Sequence, residues 1–316
     1  MTNIILNQPR LTGTLCLIAA GSAFVYLGKR RLNRLCSRVS VTDLPKSSAC
    51  RNLIESGKRT PEIPWGMDNS TVLSPWPGSD DNSSSKTHWI SSFVALQSDI
   101  PISALTNYAR THKTDEPNGQ AHDTHHLAQT LLAAFVNGRA TGPETWLLDK
   151  REDLPRLSFS PGTPLFGDPK GVGAFLLGSW SSTRGIAIQP KALPFDSPRP
   201  VSEFSSNSEA LDTRADAAGT VMYWKASDSL INAVDRAASY GLPWRSMQGG
   251  FQEYIVEKLS DETARVTYIT IECTNLHPGS NGDAERDYKK LPRLIYELHV
   301  LYAQILLYKT LRQLEV

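Results

Sequence analysis

Cysteine is scarce, with four residues in 316, at positions 16, 36, 50 and 273. Thiols this few and scattered cannot staple a disulfide scaffold, and no two have the close spacing of a zinc site. Charge of one sign is missing too. Lys and Arg number 33 against 32 Asp and Glu, a net charge of +1. A basic surplus is the main electrostatic mark of a nucleic-acid binder, so no nucleic-acid partner is expected. There is no GxGxxG and no GxxxxGK followed by Ser or Thr, and Gly171 with Gly173 does not support a phosphate site. No GxSxG elbow and no HExxH occurs, which removes the common hydrolase signatures. His122, Asp123, His125 and His126 form the densest cluster of metal-type residues. On a helix His122 and His126 would share a face, but a third ligand is missing and Asp123 serves as a cap. Neither a metal nor a cofactor is expected.

What is present is an ordinary core-forming composition, 40% hydrophobic and 21% charged. Its first feature is the uncharged run Leu11 to Gly28. As a helix it is roughly 27 Å long, against a hydrocarbon core of about 30 Å. Lys29, Arg30, Arg31, Arg34 and Arg38 follow it, and only Arg10 precedes it. That asymmetry predicts a single-pass anchor in the endoplasmic reticulum membrane, with residues 1–10 as a short tail across it and the rest cytoplasmic. A cleaved signal peptide ending at Gly21, Ser22 and Ala23 is the alternative, but its charges should precede the apolar run. Cys36 would lie beside the bilayer, where it is either palmitoylated or a spectator thiol. The sequons at Asn69 and Asn82 should stay bare in this orientation.

Residues 29–87 read as a basic juxtamembrane segment and a flexible linker. From about 40 the chain is rich in Ser, Pro, Asp and Asn, without a sustained apolar period. A folded α+β domain is expected over residues 88–316. His88 to Ser98 reads as a strand, Pro101 opens a short helix, and Asp123 or Thr124 caps another that Asn137-Gly138 should stop. Pro143 to Lys150 reads as a further turn or short helix. Strands are expected at Val172–Trp180, Thr220–Ala226, Phe251–Leu259 and Ala264–Thr274, with a helix at 228–239 and a loop at 190–216. The last element is a long helix ending near Leu314. Its Leu294, Leu298, Leu301, Ile305 and Tyr308 recur at spacings of three and four, Leu306, Leu307 and Leu311 broaden the stripe, and the helix should lie against the sheet.

Strand, two helices, several antiparallel strands and a long C-terminal helix is an order that resembles the helix-grip or START-like superfamily. That superfamily includes lipid-transfer proteins and polyketide cyclases. The resemblance covers about residues 88–316 and rests on element order; the 190–216 insertion and the 228–239 helix depart from the pattern. It implies an antiparallel curved sheet packed on the C-terminal helix, with an apolar cavity between them for a hydrophobic small molecule or lipid. The combination of anchor, linker and compact domain also looks like small proteins found beside fungal polyketide biosynthetic enzymes. That likeness implies a cyclase or accessory factor in secondary-metabolite biosynthesis, with other biosynthetic enzymes as partners. A non-enzymatic lipid carrier and a scaffold binding a partner through 190–216 are the alternatives.

Site candidates come from the late strands and the last helix. Tyr268, Thr270 and Glu272 alternate with Ile269 and Ile271, so the two sets face opposite sides. Either the first set lines a cavity, or the isoleucines face the core and the first set faces water. In a cavity, Glu272 would be a desolvated acid/base with a raised pKa, and His299 on the last helix could join it. Trp180, Tyr223, Trp224, Tyr254, Tyr268, Thr270 and Tyr302 are the expected ligand contacts, and Glu253 is a further polar residue on the same strands. Cys273 is read as an inert, buried thiol.

Overall fold

The computed structural model describes residues 27–55, 89–112, 123–140, 164–168, 172–182, 216–226, 228–242, 244–245, 249–275, 289–290 and 292–316. All but the last two positions of the expected Leu11–Gly28 span lie outside them. Among the described residues no helix is long and apolar enough to cross a membrane. The expected Pro143–Lys150 turn, His122, and residues 190–215 of the expected loop also lie outside.

The centre of the fold is an antiparallel sheet. The longest strands are β2 (Trp89–Pro101) and β8 (Thr263–Asn275), paired over their whole length. β7 (Gly249–Lys258) pairs with the other edge of β8 through a tight connection at 259–262. β5 (Ala217–Lys225), β4 (Val172–Ser181) and β3 (Pro164–Asp168) continue outward, and the two-residue β1 (Ser37–Arg38) closes the β2 edge. The order is β1-β2-β8-β7-β5-β4-β3. β-branched and aromatic residues fill β5, β7 and β8, and such side chains pack well on a pleated surface. A bulge between Leu176 and Gly178 uses glycine at φ 153°, a backbone angle that side chains resist.

One face of the sheet carries helices α3 (Ile102–Thr111), α4 (Thr124–Ala140) and α6 (Arg293–Gln313). α4 lies over β4, β5 and β7, and α6 packs along α4 and against β2. The hollow expected between sheet and last helix is thus largely occupied by α4. Phe135 packs 4.7 Å from Tyr254 and 5.1 Å from Tyr268, ring centre to ring centre. α4 also runs through the expected Asn137-Gly138 stop. Gly138 lies beside Lys309 and Gln313 of α6, and this tertiary contact outweighs local glycine preference.

The other face is covered by the chain before the expected domain start. A helix described over residues 27–35, α1, leads through β1 and a 3-10 turn (Val41–Asp43) to α2 (Ala49–Glu55). Leu44, Ala49 and Cys50 are buried with Ala95, Val221, Ile255, Ile269 and Ile271. Residues 37–55 therefore belong to the folded unit rather than to a linker, and the rest of the expected linker, 56–88, lies outside the described residues. Cys36 is fully buried, and burial pushes its thiol up to about 12, which favours the spectator thiol over the palmitoylated one. Apart from the sheet, α5 (Asp228–Ser239) leads to β6 (Trp244–Arg245), which pairs in parallel with β9 (Lys289–Lys290).

Candidate functional site

Register places the site. Trp224 on β5 stands opposite Gly250 on β7, which stands opposite Glu272 on β8. One row further along, Met222, Gln252 and Thr270 line up in the same way. Strands are about 4.8 Å apart, so the backbones at Trp224 and Glu272 are about 10 Å apart, with no side chain on Gly250 between them. Gly250 is required there: a Cβ would overlap the backbone of Ile271 and Glu272. Deeper in the sheet the Thr220–Tyr254–Tyr268 row is roofed by α4 through Phe135. The glycine row is met instead by the N-terminal half of α6.

That half of α6 is fixed by Tyr296, whose hydroxyl donates to the Phe93 carbonyl at 2.9 Å and accepts from Arg38 at 3.1 Å. One turn on, His299 Nε2 contacts Glu272 Oε1 directly. Glu272 is 3% exposed. Burial pushes its carboxyl up to about 8 and pushes His299 down to about 4. Both shifts have one cause, the cost of a charge in a low-dielectric site, and both favour the uncharged form. Across the neutral range Glu272 is therefore a neutral carboxyl and His299 a neutral imidazole, in contact with each other.

Among the described residues, three polar atoms on this side besides Glu272 Oε1 and His299 Nε2 are buried without a hydrogen-bond partner: Trp224 Nε1, Thr270 Oγ1 and Tyr302 OH. Trp224 and Tyr302 pack against the core on the helix-bearing face, and the Tyr302 ring centre is 6.5 Å from that of His299. A buried unpaired donor costs about 1–3 kcal/mol, so three around one acid–base pair form a set of unmet hydrogen-bonding demands. Gln252 beside them accepts from Tyr254 OH at 2.8 Å, and burial raises the Tyr254 hydroxyl well above its ordinary value. The structure thus brings Glu272, His299, Trp224, Thr270 and Tyr302 to one end of one face. Tyr254 and Tyr268 lie on the same face but beneath α4.

Trp180 and Tyr223 belong elsewhere. Both are in the cluster on the opposite face, because strand alternation turns them away from Glu272. Trp180 lies over Gly219, where any side chain would overlap its ring, and donates from Nε1 to Glu253 Oε1 at 2.6 Å. The either-or reading of Tyr268, Thr270 and Glu272 against Ile269 and Ile271 also fails. Both sets are buried, because the sheet is covered on both sides.

Sequence reasoning missed the role of Glu253. It is fully buried and accepts from Ser48 Oγ at 2.7 Å, from the amides of Ala49 and Cys50 at 2.9 Å each, and from Trp180. A strand carboxylate therefore caps α2 from another part of the chain. Burial pushes Glu253 up, and its four donors pull it back. The available signal was Ser48 standing just before a helical stretch, where its Oγ also accepts from the Arg51 amide. No group of three or more metal-type residues occurs among the described residues. The Cys273 side chain lies outside them.

No family model matches the chain, and neither a curated protein nor a solved structure matches it.

Proposed function

We propose that this is a membrane-anchored protein that binds a hydrophobic small molecule beside Gly250 and moves a proton on it with Glu272 and His299. The reading is a START-like domain used in an unconventional way, with the ligand at the Glu272–His299 end of the sheet, beyond the strands that α4 covers. The observation that carries it is the buried Glu272–His299 contact surrounded by the unpartnered atoms of Trp224, Thr270 and Tyr302. A purely structural core has no use for five polar side chains gathered at one place, since apolar residues of the same shape would be cheaper to bury. A neutral pair with opposed shifts can give a proton from the carboxyl and take one back through the imidazole. An apolar chain held there in a folded conformation would react faster chiefly through proximity, which suits a cyclase or an accessory factor of polyketide-type biosynthesis.

The test is mass spectrometry of what the full-length protein carries when purified in detergent from its host, joined to turnover of the compound that accumulates when the protein is deleted. The expected result is an apolar compound bound by the wild type and by Glu272→Gln and His299→Ala, with turnover lost in both variants. Retained turnover in both would overturn the acid–base role and leave a carrier. An empty site in every preparation, with no compound accumulating, would overturn the ligand reading itself.

A further inference from the structure

The helix α6 is apolar all round. Its inner face buries Val300, Ala303, Leu306, Leu307 and Leu311. Its outer face carries Leu294, Leu298, Leu301 and Ile305, part of the stripe expected from spacing to meet the sheet. The structure turns that part the other way, with Leu294 72% exposed, Leu298 55%, and Leu301 and Ile305 half-buried, while Leu306, Leu307, Tyr308 and Leu311 of the same stripe pack into the core. A helix with two apolar faces needs an apolar neighbour on each.

The neighbour on the outer side follows from what borders the stripe. Gln304, one residue round the helix from it, donates to Asn33 Oδ1 at 2.8 Å and to the Cys36 carbonyl at 3.3 Å. The end of α1 is thereby pinned beside the stripe, and Cys36 is locked into the core. α1 is the direct continuation of the uncharged Leu11–Gly28 run, and its Lys29, Arg30, Arg31 and Arg34 are exposed. Arg293 and Arg312, near the two ends of α6, are exposed as well. Glu297 is the one acidic residue of α6 and is half-buried on the same border. An exposed apolar stripe edged mainly by cations, next to the basic helix that follows the expected span, has the pattern of a helix lying in the membrane interface.

We infer that the outer face of α6 lies in the interface of an anionic bilayer, so that the domain rests on the membrane rather than hanging from it. The occupant is lipid. The inner face of the same helix carries His299, so the helix that rests on the membrane also bears one half of the Glu272–His299 contact.

Photo-crosslinking tests this directly. The full-length protein is reconstituted in phosphatidylcholine vesicles containing phosphatidylserine and a diazirine-acyl phosphatidylcholine, and adducts are mapped by mass spectrometry. Adducts are expected on α6 at Leu294, Leu298, Leu301 or Ile305 as well as within 11–28. In Leu298→Glu the α6 adducts should be lost while the melting temperature stays unchanged, since this side chain is exposed. Adducts confined to 11–28 would overturn the inference. So would protein–protein crosslinks from the stripe to another segment of this chain or to a second copy. Adducts on α6 without any in 11–28 would support the inference and overturn the anchor, and adducts on neither would overturn both.

Discussion

Two buried carboxylates show how one residue type serves two ends. Glu253 meets four donors and is a fastener. Glu253→Ala leaves the Ser48 hydroxyl, two amides and the Trp180 indole unsatisfied, so it should cost about 3–5 kcal/mol, read as a lowered urea midpoint. Glu272 meets only a histidine and stays protonated. Its value is raised from 4.5 to about 8, so the native state keeps a proton that the unfolded chain releases. The stability this gives is complete below pH 4.5 and is lost as pH rises towards 8. His299 runs the other way. Lowered from 6.5 to about 4, it contributes fully above pH 6.5 and loses that contribution as pH falls towards 4. The two slopes cancel between 4.5 and 6.5, so stability should be flat there and decline on both sides. Glu272→Gln cannot ionise. Thermal unfolding across pH should show its alkaline decline between 6.5 and 8 abolished and its acid decline beginning already at 6.5, because the His299 slope is no longer cancelled between 4.5 and 6.5.

Among the elements, the strands were the most legible. Alternation and β-branched content mark β5, β7 and β8 within a few residues of their ends, and the Gly249-Gly250 pair marks the start of β7. Gly250 has a second role that spacing does not reveal, since its cause is the backbone of Ile271 on the neighbouring strand. Gly250→Ala should unseat the first pairs of β7 and β8 and cost about 2–4 kcal/mol, seen in the melting temperature, with the Glu272–His299 site lost first on warming. α6 was legible as a helix but not in its orientation. Apolar residues lie on all its sides, so no single stripe identifies the inner one. The α1–α2 segment was hidden for a different reason. Its composition reads as a linker, and what orders it is a carboxylate 205 positions away from Ser48 in sequence. Local patterns cannot report a cap supplied by another element.

At the scale of the molecule, the sheet is a middle layer, with α3, α4 and α6 on one side and the 37–55 segment on the other. The segment that joins the basic helix α1 to the sheet is therefore part of the core. Removing residues 1–26 should leave a folded domain, whereas removing residues 1–56 strips the cover from Ile255, Ile269 and Ile271 and should give aggregates in size-exclusion chromatography. The functional account needs one thing of this architecture, that it bury Glu272 and His299 deeply enough to keep them uncharged. Infrared difference spectroscopy of the full-length protein, wild type minus Glu272→Gln, reads that state. The account predicts a protonated-carboxyl C=O band at neutral pH that fades only as the pH approaches about 8. A carboxylate band at neutral pH, with His299 as its imidazolium, would contradict it.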